Sequence, residues 1–296
     1  MKPFDYVAAK DAKHAIALLA EHGARARILA GGTDLLVDLK AAQHAPAIVV
    51  DISRASDLKG IARTPDGLRI GALATHGEIM RSPLVREHCP VLIEAAHSIG
   101  AVQTRNLGTL GGNLMTCVPS MDSGPALVAL EAEVTVSGPD GDKRMPLAQL
   151  FVGPRKTSLT SGELLKEIII PRASLDKPAA FLKFGLRKGQ ALALVNAAAA
   201  FCVDRERATF IAPRIALGAV APTVIRAPKA EAFLAGLAIT AEAMAEAGRI
   251  AATEAKPISD FRASADYRRD LIAILVKRAL GIAFERASTK AKERIS

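Results

Sequence analysis

Two stretches of this sequence set adjacent glycines beside short polar side chains, a combination suited to holding a phosphate-bearing molecule. The first is Ile28-Leu29-Ala30-Gly31-Gly32-Thr33-Asp34-Leu35-Leu36. The second is Thr109-Leu110-Gly111-Gly112-Asn113-Leu114, followed by Pro119 and Asp122. Paired glycines permit positive φ and let a ligand approach the backbone closely. Consecutive N–H groups in such a turn form a concavity for an anion. Thr33, Thr109 and Asn113 add side-chain donors suited to a pyrophosphate, and Asp34 or Asp122 could accept hydrogen bonds from a ribose or adenine. Neither stretch is the G-x-G-x-x-G of a Rossmann unit or a P-loop ending in Gly-Lys-Ser/Thr. A Gly-Gly after a strand is also an ordinary turn. The residues alone therefore carry the reading as far as a phosphate-bearing cofactor.

The elements that must position these stretches follow from pattern and punctuation. Asp11 caps a helix carrying Ala15, Ile16, Leu18 and Leu19, with Gly23 as its stop. A short apolar strand at 27–30 runs into the first glycine pair, and 47–52 is a second buried strand. Further on, a strand at 67–73 is entered from a Pro65-Asp66-Gly67 turn, and the spacing of Val85, Leu92, Ala95, Ala96 and Ile99 predicts a helix over 83–99. A glycine-rich loop is expected at 108–113, a short helix at 126–130, and a hairpin pairing 133–137 with 143–145. A strand at 164–170 closes at Pro171. Three strands follow at 181–186, 191–203 and 208–220, the middle one alanine-rich and ambiguous. Helices at 229–237, 240–252 and 264–286 end the chain. The fold class is α+β, divided into 1–55, 56–172 and 173–296.

Composition narrows the function further. Half of the 296 residues are apolar, but with two Tyr and no Trp the core must be aliphatic. The formal charge of +9 is scattered, its densest cluster running from Lys277 to Arg294 with Phe284 as its one aromatic and no zinc-finger or RNP-type signature, so nucleic acid is not the expected partner. Cys89, Cys117 and Cys202 form no C-x-x-C pair and are too few for an all-thiolate iron–sulfur cluster. No metal ligands and no catalytic triad, Cys-His or paired-carboxylate arrangement are assigned. With no apolar leader and no window near the ~18 apolar residues a membrane span needs, no transmembrane segment is expected, and the expected location is cytoplasmic.

In their order and spacing, the two glycine segments resemble the FAD-binding medium subunit of the xanthine dehydrogenase and carbon monoxide dehydrogenase family of molybdenum hydroxylases. The likeness runs from Phe4 to about Ala283 and includes Ala101-Val102-Gln103-Thr104-Arg105-Asn106, Pro125-Ala126-Leu127 and Leu130-Glu131-Ala132. It implies a vanillyl-alcohol-oxidase-like (PCMH-type) two-part FAD-binding fold and a C-terminal α/β domain with a three-stranded sheet and helices. Carried over by position, Ile28, Leu29, Ala30, Gly31, Gly32, Thr33, Asp34 and Leu35 run along the FAD. Gly31, Gly32 and Thr33 lie nearest its pyrophosphate. Thr109, Gly112 and Asn113 contact it from the second segment, and Asp122 hydrogen-bonds it. The backbone of Leu165 lies beside the flavin. Lys183 matches a lysine near the isoalloxazine, where a cation favours the anionic reduced ring. Thr75-His76 resembles a segment near the flavin, though a lone His is more often a cap or surface residue.

Two departures stand out. Lys188-Gly189-Gln190-Ala191 lacks the acidic residue many relatives have after the position of Arg187. The stretch 113–122 is too short for the cysteine-rich insertion of 4-hydroxybenzoyl-CoA reductase. The resemblance implies an electron relay between a [2Fe–2S] small subunit and NAD⁺, a quinone or oxygen. A molybdenum-cofactor large subunit would hold the organic substrate, in a dimer of heterotrimers. The alternatives are a 4-hydroxybenzoyl-CoA reductase-like medium subunit without the extra cluster, an assembly scaffold, and a stand-alone FAD oxidase.

Overall fold

The computed structural model describes residues 2–204 and 206–293; Arg294, at the end of the basic cluster, lies outside them. The chain opens with β1 (Asp5–Ala8), α1 (Ala12–His22), β2 (Ala26–Leu29), α2 (Leu35–Lys40) and β3 (Ile48–Asp51). The strands form a parallel sheet in the order β1-β3-β2. Central β3 is buried along its whole length, which is why Ile48-Val49-Val50 reads as an apolar run before the buried Asp51. Asp11 accepts from His14 N at the start of α1, and Gly23 closes the helix with φ 55°. The first glycine pair leaves the carboxyl end of edge strand β2, where open α/β sheets form ligand crevices.

A second layer follows: β4 (Ile61–Thr64), β5 (Gly67–Gly71), α3 (His76–Arg81), α4 (Pro83–His88), α5 (Val91–His97), α6 (Val102–Leu107), α7 (Leu110–Thr116), α8 (Ser123–Ala129), β6 (Glu133–Gly138), β7 (Gly141–Pro146), β8 (Phe151–Gly153), β9 (Lys156–Thr157) and β10 (Leu164–Pro171). An antiparallel sheet runs β4-β5-β10-β6-β7, with β8-β9 a separate small hairpin. Leu68, Ile70, Val134, Val136, Ile168 and Ile170 pack from the sheet against Leu92, Leu110, Leu114 and Leu127 of the helices. Two expectations change here. The helix expected over 83–99 is two helices, because Cys89 precedes Pro90 and is driven out of the α region (φ −145°, ψ 54°). The loop expected at 108–113 is largely the first turn of α7.

The remainder comprises β11 (Ala179–Gly185), β12 (Ala193–Asp204), β13 (Thr209–Gly218), β14 (Ile225–Arg226), α9 (Pro228–Leu234), α10 (Ala241–Glu254) and α11 (Ala265–Glu293). The sheet is antiparallel, β11-β12-β13-β14, so the expected three strands are joined by a two-residue fourth. The alanine run of β12 has a clear physical sense. Ala198 and Ala200 pack into the cluster around α5 and α8, while Ala197 and Ala199 pack into the cluster of α10 and α11. Small residues on both faces let helices approach the strand from either side.

Candidate functional site

The two glycine segments cross. A Cβ built on Gly31 would sit 1.9 Å from the carbonyl oxygen of Leu107, so no side chain fits there. Gly32 then adopts φ 72°, in the left-handed region glycine tolerates. The N–H groups of Gly31, Gly32, Thr33 and Asp34 donate to no other group among the described residues. All four residues line one cleft of about 570 Å³. Consecutive unpaired amides beside a cleft suit the oxygens of an anionic ligand, since backbone donors held away from water seek partners.

The second segment is built differently. Thr109 caps α7, its Oγ1 accepting from Gly112 N at 3.0 Å. Asn113 N donates to the Thr109 carbonyl, Leu110 N to that of Ala74 and Gly111 N to that of Ala72. A Cβ on Gly111 would lie 2.7 Å from Ala72 Cβ, whereas one on Gly112 meets only Thr109 Oγ1, at 2.9 Å. Gly112 therefore leaves open space on the cleft side. The Asn113 side-chain oxygen accepts from Ser123 Oγ.

The cleft gathers Ile28, Ala30, Gly31, Gly32, Thr33, Asp34 and Leu35 from the first segment, Thr109, Gly112 and Asn113 from the second, and Leu165 from β10. Leu29, Asp122 and Lys183 stand outside its wall. Leu29 points toward the underside of Gly32. Asp122 and Lys183 are bonded to each other, Lys183 Nζ also donating to the Ser98 carbonyl at 3.0 Å and Asn196 Nδ2 donating to Asp122 at 2.9 Å. Burial pushes the Asp122 carboxyl up, against the pull of Lys183 and Asn196. Lys183 is thus not a free cation. The pair braces Ser98, next to cleft-lining Ile99.

Several cleft residues were not singled out from sequence. Arg155, at the tip of the β8-β9 hairpin with φ 56°, pairs with Asp38 at 3.0 Å, and His44 lies 3.6 Å from the same carboxylate. Burial raises the neighbouring Asp34 carboxyl, opposed by Arg155 and reinforced by Asp38. Cys117 ties this hairpin to the end of α7: its carbonyl accepts from Arg155 N at 2.8 Å, and its Sγ lies 3.3 Å from the Gly153 carbonyl. No sequence signal marks so short a hairpin.

Comparison with known proteins decides the family. Residues 2–173 match the family described as the FAD binding domain in molybdopterin dehydrogenase, and residues 180–283 match the CO dehydrogenase flavoprotein C-terminal domain. This chain belongs to the FAD-binding medium-subunit family of the xanthine and carbon monoxide dehydrogenases. It is a subunit type of oxidoreductases, and its cofactor is FAD. The chain is 34% identical to the carbon monoxide dehydrogenase medium chain of Hydrogenophaga pseudoflava, covering 96% of this chain and 98% of that one. It is also 34% identical to the 6-hydroxypseudooxynicotine dehydrogenase complex subunit alpha of Paenarthrobacter nicotinovorans, covering 97% of each. A solved carbon monoxide dehydrogenase from H. pseudoflava superposes with a TM-score of 0.92 at 35% identity, covering 97% of this chain and 99% of that one. Quinoline 2-oxidoreductase from Pseudomonas putida 86 does so with 0.90 at 30% identity, covering 97% and 99%.

The cleft fits FAD on its own terms. Unpaired amides from Gly31 to Asp34 suit the diphosphate, and Ile28, Leu73, Ile99, Leu164 and Leu165 supply apolar walls for the rings. Among the described residues no helix is long and apolar enough to cross a membrane.

Proposed function

We propose that this chain holds FAD across the cleft and relays electrons within a molybdenum hydroxylase complex. The electrons come from [2Fe–2S] clusters of a small partner subunit and leave to NAD⁺, a quinone or oxygen. A large molybdenum-cofactor subunit handles the organic substrate, and the assembly is a cytoplasmic dimer of heterotrimers. The observation that carries the reading is the run of unpaired amides from Gly31 to Asp34, facing a second wall of Thr109, Gly112 and Asn113.

Each part of the chain has a stated task in this reading. The segment from Ile28 to Leu35 follows the cofactor, with Gly31, Gly32 and Thr33 donating to its diphosphate. Leu165 offers its backbone beside the flavin. Asp122 and Lys183 act as a neutral pair supporting the wall at Ser98 and Ile99 rather than as a lone cation. Bound FAD supplies the redox chemistry, taking electrons singly and passing them on in pairs. The chain binds, orients and shields it. The names of the relatives span carbon monoxide, quinoline and a nicotine derivative, which suits a subunit whose cleft does not select the organic substrate. A main sheet of its own in each part supports the division into 1–55, 56–172 and 173–296, while apolar side chains such as Ala198 and Ala200 pack across the boundaries.

The test is to purify the full chain with whatever accompanies it, record the visible spectrum and identify flavin released by acid. Near-stoichiometric FAD, with iron–sulfur absorbance from co-purifying subunits, is expected. A folded chain that neither contains nor takes up FAD would overturn the reading.

A further inference from the structure

One residue of the cleft is left with no structural task. His76 opens α3, but the helix start is already completed by the Thr75–Glu78 capping box, Thr75 Oγ1 accepting from Glu78 N and Glu78 accepting from Thr75 N. The His76 backbone donates to the Gly108 carbonyl at 3.1 Å, fixing the residue to the chain just before Thr109. Its ring lines the cleft, the residue is only 2% exposed, and Nδ1 has no hydrogen-bond partner. A Cβ placed on Gly108 would be 3.5 Å from His76 Cδ2 and 3.5 Å from Thr33 Oγ1, so the imidazole stands where the two glycine segments meet.

A buried nitrogen without a partner is destabilising, and an apolar residue of the same shape would avoid that loss. We infer that the His76 imidazole is held for the bound cofactor, hydrogen-bonding an oxygen of the FAD diphosphate with a slight turn of the ring. The inference rests on the reading of the cleft as the FAD site. Burial, and secondarily the nearby Arg105 guanidinium, push the imidazole down to about 4, so it is neutral at pH 7. A neutral imidazole carries one N–H, which serves as the donor to the phosphate oxygen.

The experiment compares the full chain, freed of flavin, with His76→Phe, which keeps the ring and removes both nitrogens. His76→Gln, which restores a donor, is the second variant. FAD and ADP, which shares the diphosphate, are titrated separately, and the melting of each flavin-free chain is recorded. His76→Phe is expected to weaken FAD and ADP by the same factor, about tenfold or more, as for a hydrogen bond to a charged group. Its flavin-free form should melt no lower than the unchanged chain, and His76→Gln should recover most of the affinity. Unaltered ADP binding by His76→Phe would overturn the inference, whether or not FAD binding fell. If the phenylalanine variant does not fold, equal weakening of both ligands by His76→Leu with rescue by His76→Gln decides the matter in the same way. Failure of the unchanged chain to bind either ligand would instead sink the FAD reading.

Discussion

Gly31-Gly32 and Gly111-Gly112 are spelled alike, yet they solve different problems. The first pair is loop backbone leaving a parallel strand, and its amides, with those of Thr33 and Asp34, have no partner among the described residues. The second pair lies in the first turn of α7, with amides taken up by Ala72 and Thr109. The first pair thus offers donors to a ligand, while the second sets how closely α7 may lie to its neighbours. Within each pair the two glycines differ as well. Gly31 is required by an approach to the Leu107 carbonyl and Gly32 by its positive φ; Gly111 is required by packing on Ala72, and Gly112 keeps the cleft open.

The largest expected effect is at the crossing. In Gly31→Ala the new methyl meets backbone rather than a flexible side chain, so the two segments must move apart. A loss of ~3 kcal/mol or more in unfolding free energy is expected, as for severe overpacking, together with loss of FAD. Denaturant titration with flavin content checks both. A variant as stable and as flavinated as the unchanged chain would refute the close crossing.

Separating the second pair sharpens the contrast. Gly111→Ala pushes on Ala72 and its carbonyl and should cost roughly 1–3 kcal/mol. Gly112→Ala presses only on the Thr109 hydroxyl, and alanine favours a helix over glycine by about 1 kcal/mol. Its stability should stay within about 1 kcal/mol of the parent while its FAD affinity drops, because the methyl enters the cleft. Equal effects of the two substitutions on stability would remove the distinction between packing glycine and cleft glycine.

The legibility of these regions in sequence followed how local their causes are. The first segment was readable because an apolar strand and a glycine pair lie consecutively in the chain; the six-residue helix α2 that follows went unread. The hairpin of β6 and β7 was readable from its alternation and its turn. The helical state of 110–116 was not, since two glycines oppose it and what favours it is the burial of Leu110 and Leu114 in a core assembled from distant strands. The alanine strand carried no periodic signal because both of its faces are buried. The family resemblance marked Lys183 as a candidate beside the cofactor, but its pairing was not legible, since Asp122 lies on another element. Arg155 was invisible, because its position depends on a short hairpin fastened to Cys117.

The smallest expected effect concerns the cap that holds the second segment in its helical form. Thr109 Oγ1 is the acceptor for Gly112 N, and Thr109 itself is buried, so Thr109→Ala leaves a first-turn amide without its partner. Loss of such a cap costs about 1 kcal/mol. Thr109→Ser keeps the oxygen and should recover most of that stability. If the amides of the second segment are structural, the alanine variant should lose stability in the flavin-free chain as well as with FAD bound. If the freed Gly112 amide turned instead toward the diphosphate, FAD would offset the loss, and the variant would equal its parent only when flavinated. Denaturant midpoints of both forms separate the two outcomes, and the second would make the pairs more alike than their hydrogen bonds imply.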